Sequence, residues 1–355
     1  MLKIIDCQKI SESVRTLQIK SGDFDGVFLA SNAKTYLPSK QISREISLEI
    51  GDILNLLPYK MLFELEPRGE KVTELTAANG KLTAKDDSGI TIWDLEHPTD
   101  EPFDKALTSL ESQNIIPIGN GWLEIIGKRD MRLNVPDNNI REFTFSIPEI
   151  DPTKTKVIHY KDGLMVQIDK SFFYCDLKGE VNLLAPFYEV DGAIDLGLTG
   201  GNLFLLFKDR LDEVHSPEKK IDSNQRRFPI QMIGFSEDLD GESATCLCVE
   251  NSMEFLIGTD TGSIYHFDIA EREMQKVFVP ESRSAKVIDI IMLGDDLIVQ
   301  SEIGVMSLKK AENGFGISKT YATFCNPIAK LSEDRFVVYE RNKIKVYGKR
   351  RTSEI

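Results

Sequence analysis

Glu254 to Ile269 reads EFLIGTDTGSIYHFDI: two short apolar runs around a Thr-Asp-Thr-Gly turn, ending in an aromatic–Asp pair. Each run is too short for a helix of ten or more residues, and the Phe, Ile and Tyr content suits a pleated surface. A Gly/Asp-rich turn between such runs is a hairpin signal. Looser copies of the same pattern recur along most of the chain.

Eight candidate hairpins start near Val27, Lys81, Gly121, Leu164, Asn202, Glu254, Asp296 and Arg335, with successive gaps of 54, 40, 43, 38, 52, 42 and 39 residues. KLTAKDDSGITIWDL (81–95), LMVQIDKSFFYCDL (164–177), DLIVQSEIGVMSL (296–308) and RFVVYERNKIKVYG (335–348) show the pattern well. Most gaps fall near the roughly 40–45 residues of a four-stranded propeller blade. The expectation is an all-β chain, a single β-propeller of seven or eight blades. Seven is preferred, because VFLASNAKTYL (27–37) has the weakest turn. The propeller is expected to fill residues 1–348, ahead of a short basic tail (349–355). Pairing of N- and C-terminal strands should close the ring and remove an open edge, with Leu2 to Cys7 (LKIIDC) as the missing outer strand. The two long gaps read as insertions: an apolar one at 51–67, broken by Pro58, and a polar one at 208–229. Phe103 to Leu110 reads as a short helix outside the ring.

Composition narrows the function classes. The 355 residues are 41% hydrophobic, enough for a sizeable core. No apolar run reaches the roughly 18–20 residues that span a bilayer. The start, MLKIIDCQKISESV, alternates polar and apolar residues without a secretory h-region, which points to an intracellular protein, nuclear or cytoplasmic. Five cysteines in no regular framework read as free thiols of a reducing compartment. Acidic residues outnumber basic ones 57 to 43, a net charge of −14, which disfavours nucleic acid as the main ligand.

The chain resembles, in diverged form, the WD-repeat superfamily of propellers. GSIYHFD (262–268) looks like the end of a WD-type blade, with Phe267-Asp268 at the Trp-Asp position, and ITIWD (90–94) carries a literal Trp93-Asp94. The Gly-His dipeptide that opens a standard repeat is absent, so the blade network that depends on it is not carried over. The resemblance implies a ring-shaped scaffold that docks other proteins.

Few residues suggest chemistry. The four histidines, His97, His159, His215 and His266, fall in no ligand spacing and read as structural; no catalytic, cofactor or metal residue is assigned. Gly119-Asn120-Gly121 and GLTGG (197–201) read as tight turns rather than phosphate loops, which need a following Lys-Ser/Thr. SEDLDGE (236–242) lacks a full calcium-loop pattern and reads as a solvated turn. The candidate partner-binding residues are Lys219, Lys220, Arg226 and Arg227, basic residues of the polar insertion, and Leu56, Leu57, Leu62 and Phe63 of the apolar one. The tail Lys349-Arg350-Arg351-Thr352-Ser353 is a short basic cluster of the kind found in nuclear signals and kinase sites. The function expected is a non-catalytic interaction scaffold, an adaptor or structural subunit of a multiprotein complex that binds other protein subunits and no cofactor. The alternatives are a propeller enzyme with its site at the central channel, and a nucleic-acid-binding propeller.

Overall fold

A computed structural model describes four strands between residues 3 and 36 and, with breaks at several turns, residues 59–349. Seven four-stranded antiparallel sheets form the blades of a ring. Blades 1 to 6 span 72–106, 115–144, 155–183, 195–234, 244–278 and 287–322. Blade 7 combines three strands within 328–349 with the strand Tyr59–Leu65. Six of the seven hairpin starts from Lys81 onward match the first residue of a blade's second strand, and the Leu164 hairpin begins one residue earlier, at Gly163.

The alternation of the central strands explains the ring. In blade 5, Phe255 and Ile257 point one way, against Phe204 and Leu206 of blade 4. Leu256 and Ile264 point the other way, against Leu297 and Val299 of blade 6. Strands that bury both faces must lie between two neighbours, so a blade cannot be an edge element. Seven apolar clusters among the described residues correspond to the seven blade interfaces, and the one joining blades 7 and 1 includes Val337, Ile344 and Trp93.

Closure departs from the expectation in its strand. Tyr59–Leu65 supplies the outer strand, antiparallel to Lys343–Lys349, with Tyr59 opposite Lys349 and Leu65 opposite Ile344. Lys3–Ser11, which contains most of LKIIDC, instead pairs with Val14–Ser21 in a separate sheet completed by Phe24–Ser31 and Lys34–Tyr36. The hairpin near Val27 belongs to that sheet, so the ring has seven blades. The physical reason is connectivity. Two residues separate Lys3–Ser11 from a ready partner strand. Tyr59–Leu65 leads through 66–71 straight into the innermost strand of blade 1, as an outer strand must. The apolar segment at 51–67 is therefore partly a ring strand rather than an insertion. Phe103–Ala106 is likewise the fourth strand of blade 1, and the short helix lies just after it, at Ser109–Gln113 with Thr108 as its cap.

Tyr59 anchors the closing strand. It is fully buried, and its hydroxyl donates to Asp296 Oδ2 at 3.0 Å and to the Leu293 carbonyl at 3.4 Å, both in blade 6. Burial, with the Asp296 charge beside it, holds this hydroxyl well above its ordinary pKa, so it stays a donor. Lys349 Nζ reaches the same carboxylate at 3.2 Å. The Tyr59 ring meets Phe336 edge-on at 5.4 Å, within a group that also holds Tyr321 and Tyr347.

Truncating Tyr59 should therefore loosen the whole ring. Tyr59→Phe is expected to cost about 1.5–3 kcal/mol, the worth of a hydrogen bond to a charged group. Tyr59→Ala should cost about 3–5 kcal/mol, by analogy with other large buried aromatics. Urea denaturation of the two variants measures both, and equal midpoints for Tyr59→Ala and the parent would contradict the anchoring role.

Candidate functional site between blades 5 and 6

A cavity of about 270 Å³ opens between blades 5 and 6, on the face carrying the turns between first and second and between third and fourth strands. The register of blade 5 builds one wall. Leu256 pairs with His266, and His266 with Gln275, so all three side chains point toward blade 6. Glu254 lies two residues before Leu256 on that same face. Glu250 faces Glu254 across the first hairpin, its backbone N–H donating to the Glu254 carbonyl at 3.0 Å. The ligand atoms of Glu250, Glu254 and His266 lie within 4.8 Å of one another. His266 Nε2 is 3.7 Å from Glu250 Oε2 and 3.7 Å from Glu254 Oε1. Met292, Lys310 and Phe315 of blade 6 form part of the other wall.

Asn251 stiffens this corner. Its side-chain oxygen accepts from the backbone N–H groups of Met253 (2.8 Å) and Glu254 (3.1 Å), and its amide donates to Glu254 Oε2. Sequence spacing alone gives His266 a structural role. The missed signal was hairpin register: once 254–268 is paired about its turn, Glu254 and His266 are diagonal neighbours on one face.

The opposite end of blade 5 holds a second polar cluster. The Glu242 carboxylate accepts from the hydroxyls of Thr259 (2.6 Å), Thr261 and Ser263 (3.2 Å) and from Lys276 Nζ (2.9 Å). Burial opposes ionisation, but the hydroxyl donors and Lys276 outweigh it and hold the carboxyl below its ordinary range. Of the segment 236–242, expected to be a solvated turn, residues 236–238 lie outside the described residues and the rest divides. Asp240 is exposed, while Glu242 ties the segment entering blade 5 to its central turn, where Gly262 has φ +93°. The two aromatic–Asp pairs share a role. Asp94 accepts from the N–H groups of Glu96 and His97, and Asp268 from those of Ala270 and Glu271, so each shapes the turn after a third strand.

Toward the ring's axis, Asp195 accepts from the backbone N–H of Leu196 (2.9 Å) and, across the blade boundary, from that of Leu247 (2.8 Å). It staples the innermost strands of blades 4 and 5. Asp289, in the innermost strand of blade 6, accepts from Ile290 N–H at 2.8 Å. Burial raises both carboxyls, that of Asp289 to about 6 with a contribution from the Asp195 charge.

Of the sequence candidates, Lys219, Lys220, Arg226, Arg227, Leu56 and Leu57 lie outside the described residues. So do Arg350 to Ser353 of the tail. Residues 208–215 belong to the ring, since Arg210–His215 is the third strand of blade 4. Leu62 and Phe63 do not share a face. Met61 pairs with Tyr347 and Phe63 with Val346, so Leu62 is the extra residue of a bulge and is 38% exposed. Phe63 packs against the cluster between blades 7 and 1. Gly119 adjoins a close approach rather than a positive-φ turn: a Cβ there would sit 2.2 Å from the backbone nitrogen of Ala78 in blade 1.

Solved structures share this architecture. A chain of the mitotic checkpoint complex superposes with a TM-score of 0.56 at 9% identity, covering 90% of this chain and 97% of that one. The WD40 β-propeller domain of Doa1 gives 0.54 at 11% identity, with 84% and 99% covered. The N-terminal domain of Nup159 gives 0.52 at 11% identity, with 82% and 95% covered. The fold is a seven-bladed β-propeller. No family model and no curated sequence matches the chain. Among the described residues of this propeller, no helix is long and apolar enough to cross a membrane.

The raised Asp289 carboxyl makes a pH-dependent prediction. A carboxyl whose folded pKa exceeds its unfolded value of about 3.9 favours the fold at low pH, and that contribution is lost as pH rises through about 6. Asp289→Asn should therefore stabilise the propeller at pH 7.5, by on the order of 1 kcal/mol. The gain should fade toward pH 4. Melting curves at the two pH values test this, and a gain that is equal at both would refute it.

Proposed function

We propose that this propeller is a non-catalytic interaction scaffold, an adaptor or structural subunit of an intracellular multiprotein complex. The observation that carries the reading is how the fold uses its apolar residues. They are consumed between blades, which leaves a rigid ring that offers turns and connecting segments to partners. Similar propellers occur in assemblies: one match is a chain of the mitotic checkpoint complex, another of an S. cerevisiae assembly of Dbp5 with Nup159 and Gle1.

The proposed contact is the segment 216–229, which joins the third and fourth strands of blade 4 and carries Lys219, Lys220, Arg226 and Arg227. In a chain of net charge −14 this is a concentrated basic element, suited to an acidic surface on a partner protein. The strand ends place its two attachment points on the face where the cavity between blades 5 and 6 opens. Exposed Met61 and Leu62, on the outer strand of blade 7, form a smaller apolar contact at the rim, beside Leu56 and Leu57 in sequence.

Tagged chain purified gently from its native cell is expected to bring protein partners in stoichiometric amounts. Recovery only as a free monomer would count against the scaffold reading. Removing 218–227, which leaves four residues to join the two strands, should leave the melting temperature within a few degrees, since shortening a connection costs little. The same deletion should abolish partner recovery, whereas unchanged recovery would move the contact elsewhere on the ring.

A further inference from the structure

We infer that Glu250, Glu254 and His266 form a binding site for one zinc-class divalent cation at the mouth of the cavity between blades 5 and 6. The first argument is electrostatic. Glu250 and Glu254 face each other across a hairpin, an arrangement of like charges that destabilises a strand pair. Elsewhere the propeller gives such groups a cationic partner, as Lys276 serves Glu242 and Lys349 serves Asp296. Among the described residues, the only ion-pairing partner of Glu250 or Glu254 is His266, one side chain shared between two carboxylates. A divalent cation between the two carboxylates turns this repulsion into attraction.

The second argument is geometry. A zinc ion about 2.1 Å from each donor sets neighbouring ligand atoms about 3.4 Å apart in a tetrahedron. Both separations from His266 Nε2 are 3.7 Å, a few tenths of an ångström from that value, and the two carboxylate oxygens, within 4.8 Å of each other, close the rest by side-chain rotation. The three side chains are partly exposed, with relative accessibilities of 25%, 33% and 37%, so an ion has an entry path. Asn251 fixes Glu254 from behind, as second-shell donors do for carboxylate ligands. The donor set selects the metal class. One imidazole nitrogen with two carboxylates suits zinc and its first-row neighbours, whereas calcium and magnesium take oxygen-only shells. Three protein ligands leave the fourth position of the ion open to the cavity, for water or a donor atom from a bound molecule.

The test uses the full chain, stripped of metal with a chelator and titrated with Zn²⁺ by calorimetry. Co²⁺ serves as a spectroscopic stand-in, because a four-coordinate site shows intense visible absorption. One Zn²⁺ per chain is expected, with a rise in melting temperature. His266→Ala should weaken binding at least 100-fold and Glu254→Gln at least 10-fold, and in the absence of metal Glu254→Gln should melt no lower than the parent, since it relieves the repulsion. Glu242→Gln, at the other end of the blade, should leave Zn²⁺ binding unaltered. If His266→Ala fails to fold, Glu254→Gln carries the test alone. No binding at about 100 µM Zn²⁺, or binding that survives the Glu254 and His266 substitutions, for instance on thiols elsewhere, would overturn the assignment.

Discussion

Everything in this propeller depends on the pairing of Tyr59–Leu65 with Lys343–Lys349. A ring of blades has no free interface only if its last blade meets its first. Each blade buries apolar side chains on both faces, so an open ring would leave the cluster between blades 7 and 1 or its neighbour exposed to water. The outer strand comes from before blade 1 and the other three strands from the chain's end. Closure therefore joins segments about as far apart in sequence as the ring allows, and the non-local contact must form before the last two interfaces are secure. Tyr59 concentrates that linkage. One buried hydroxyl joins the closing strand to Asp296 of blade 6, and the same carboxylate holds Lys349 of blade 7.

Within that frame the blades are held individually, by devices that differ from one to the next. Blade 5 uses Glu242 under its central turn, with three hydroxyls and Lys276. Blade 1 uses Asp86, buried, which gathers the N–H groups of Ser88 and Gly89 and reaches Gly69 N–H at 2.7 Å. Asp195 crosses from blade 4 to blade 5 near the axis. These carboxylates do one job, satisfying backbone donors where a segment enters a blade or a turn leaves it. The absence of a shared repeat motif reflects this: the requirement is local satisfaction, and several residue types at shifted positions meet it.

Glu250 and Glu254 stand apart because, among the described residues, no backbone donor meets either carboxylate. They are set opposite each other at the mouth of a cavity, on the face from which 216–229 leaves blade 4. The proposed cation site and the proposed partner contact would give that face two ways of engaging another molecule.

The sequence by itself determined the repeating unit. Hairpins from Lys81 to Arg335 were legible because each packs turn chemistry and two-sided apolar strands into about fifteen residues, and such local information survives without the fold. It did not determine which strand closes the ring. KIIDC and YKMLFEL both satisfy a strand pattern, and only the path of the chain into blade 1 separates them. Nor did it show the cluster at blade 5, although Glu254 and His266 sit inside the most readable stretch of the chain. Their meeting depends on hairpin register, and Glu250 joins only because the preceding strand pairs alongside. Periodicity specifies which faces are buried. Which polar side chains converge where those faces end is a matter of three-dimensional neighbours, and the tertiary structure alone decides it.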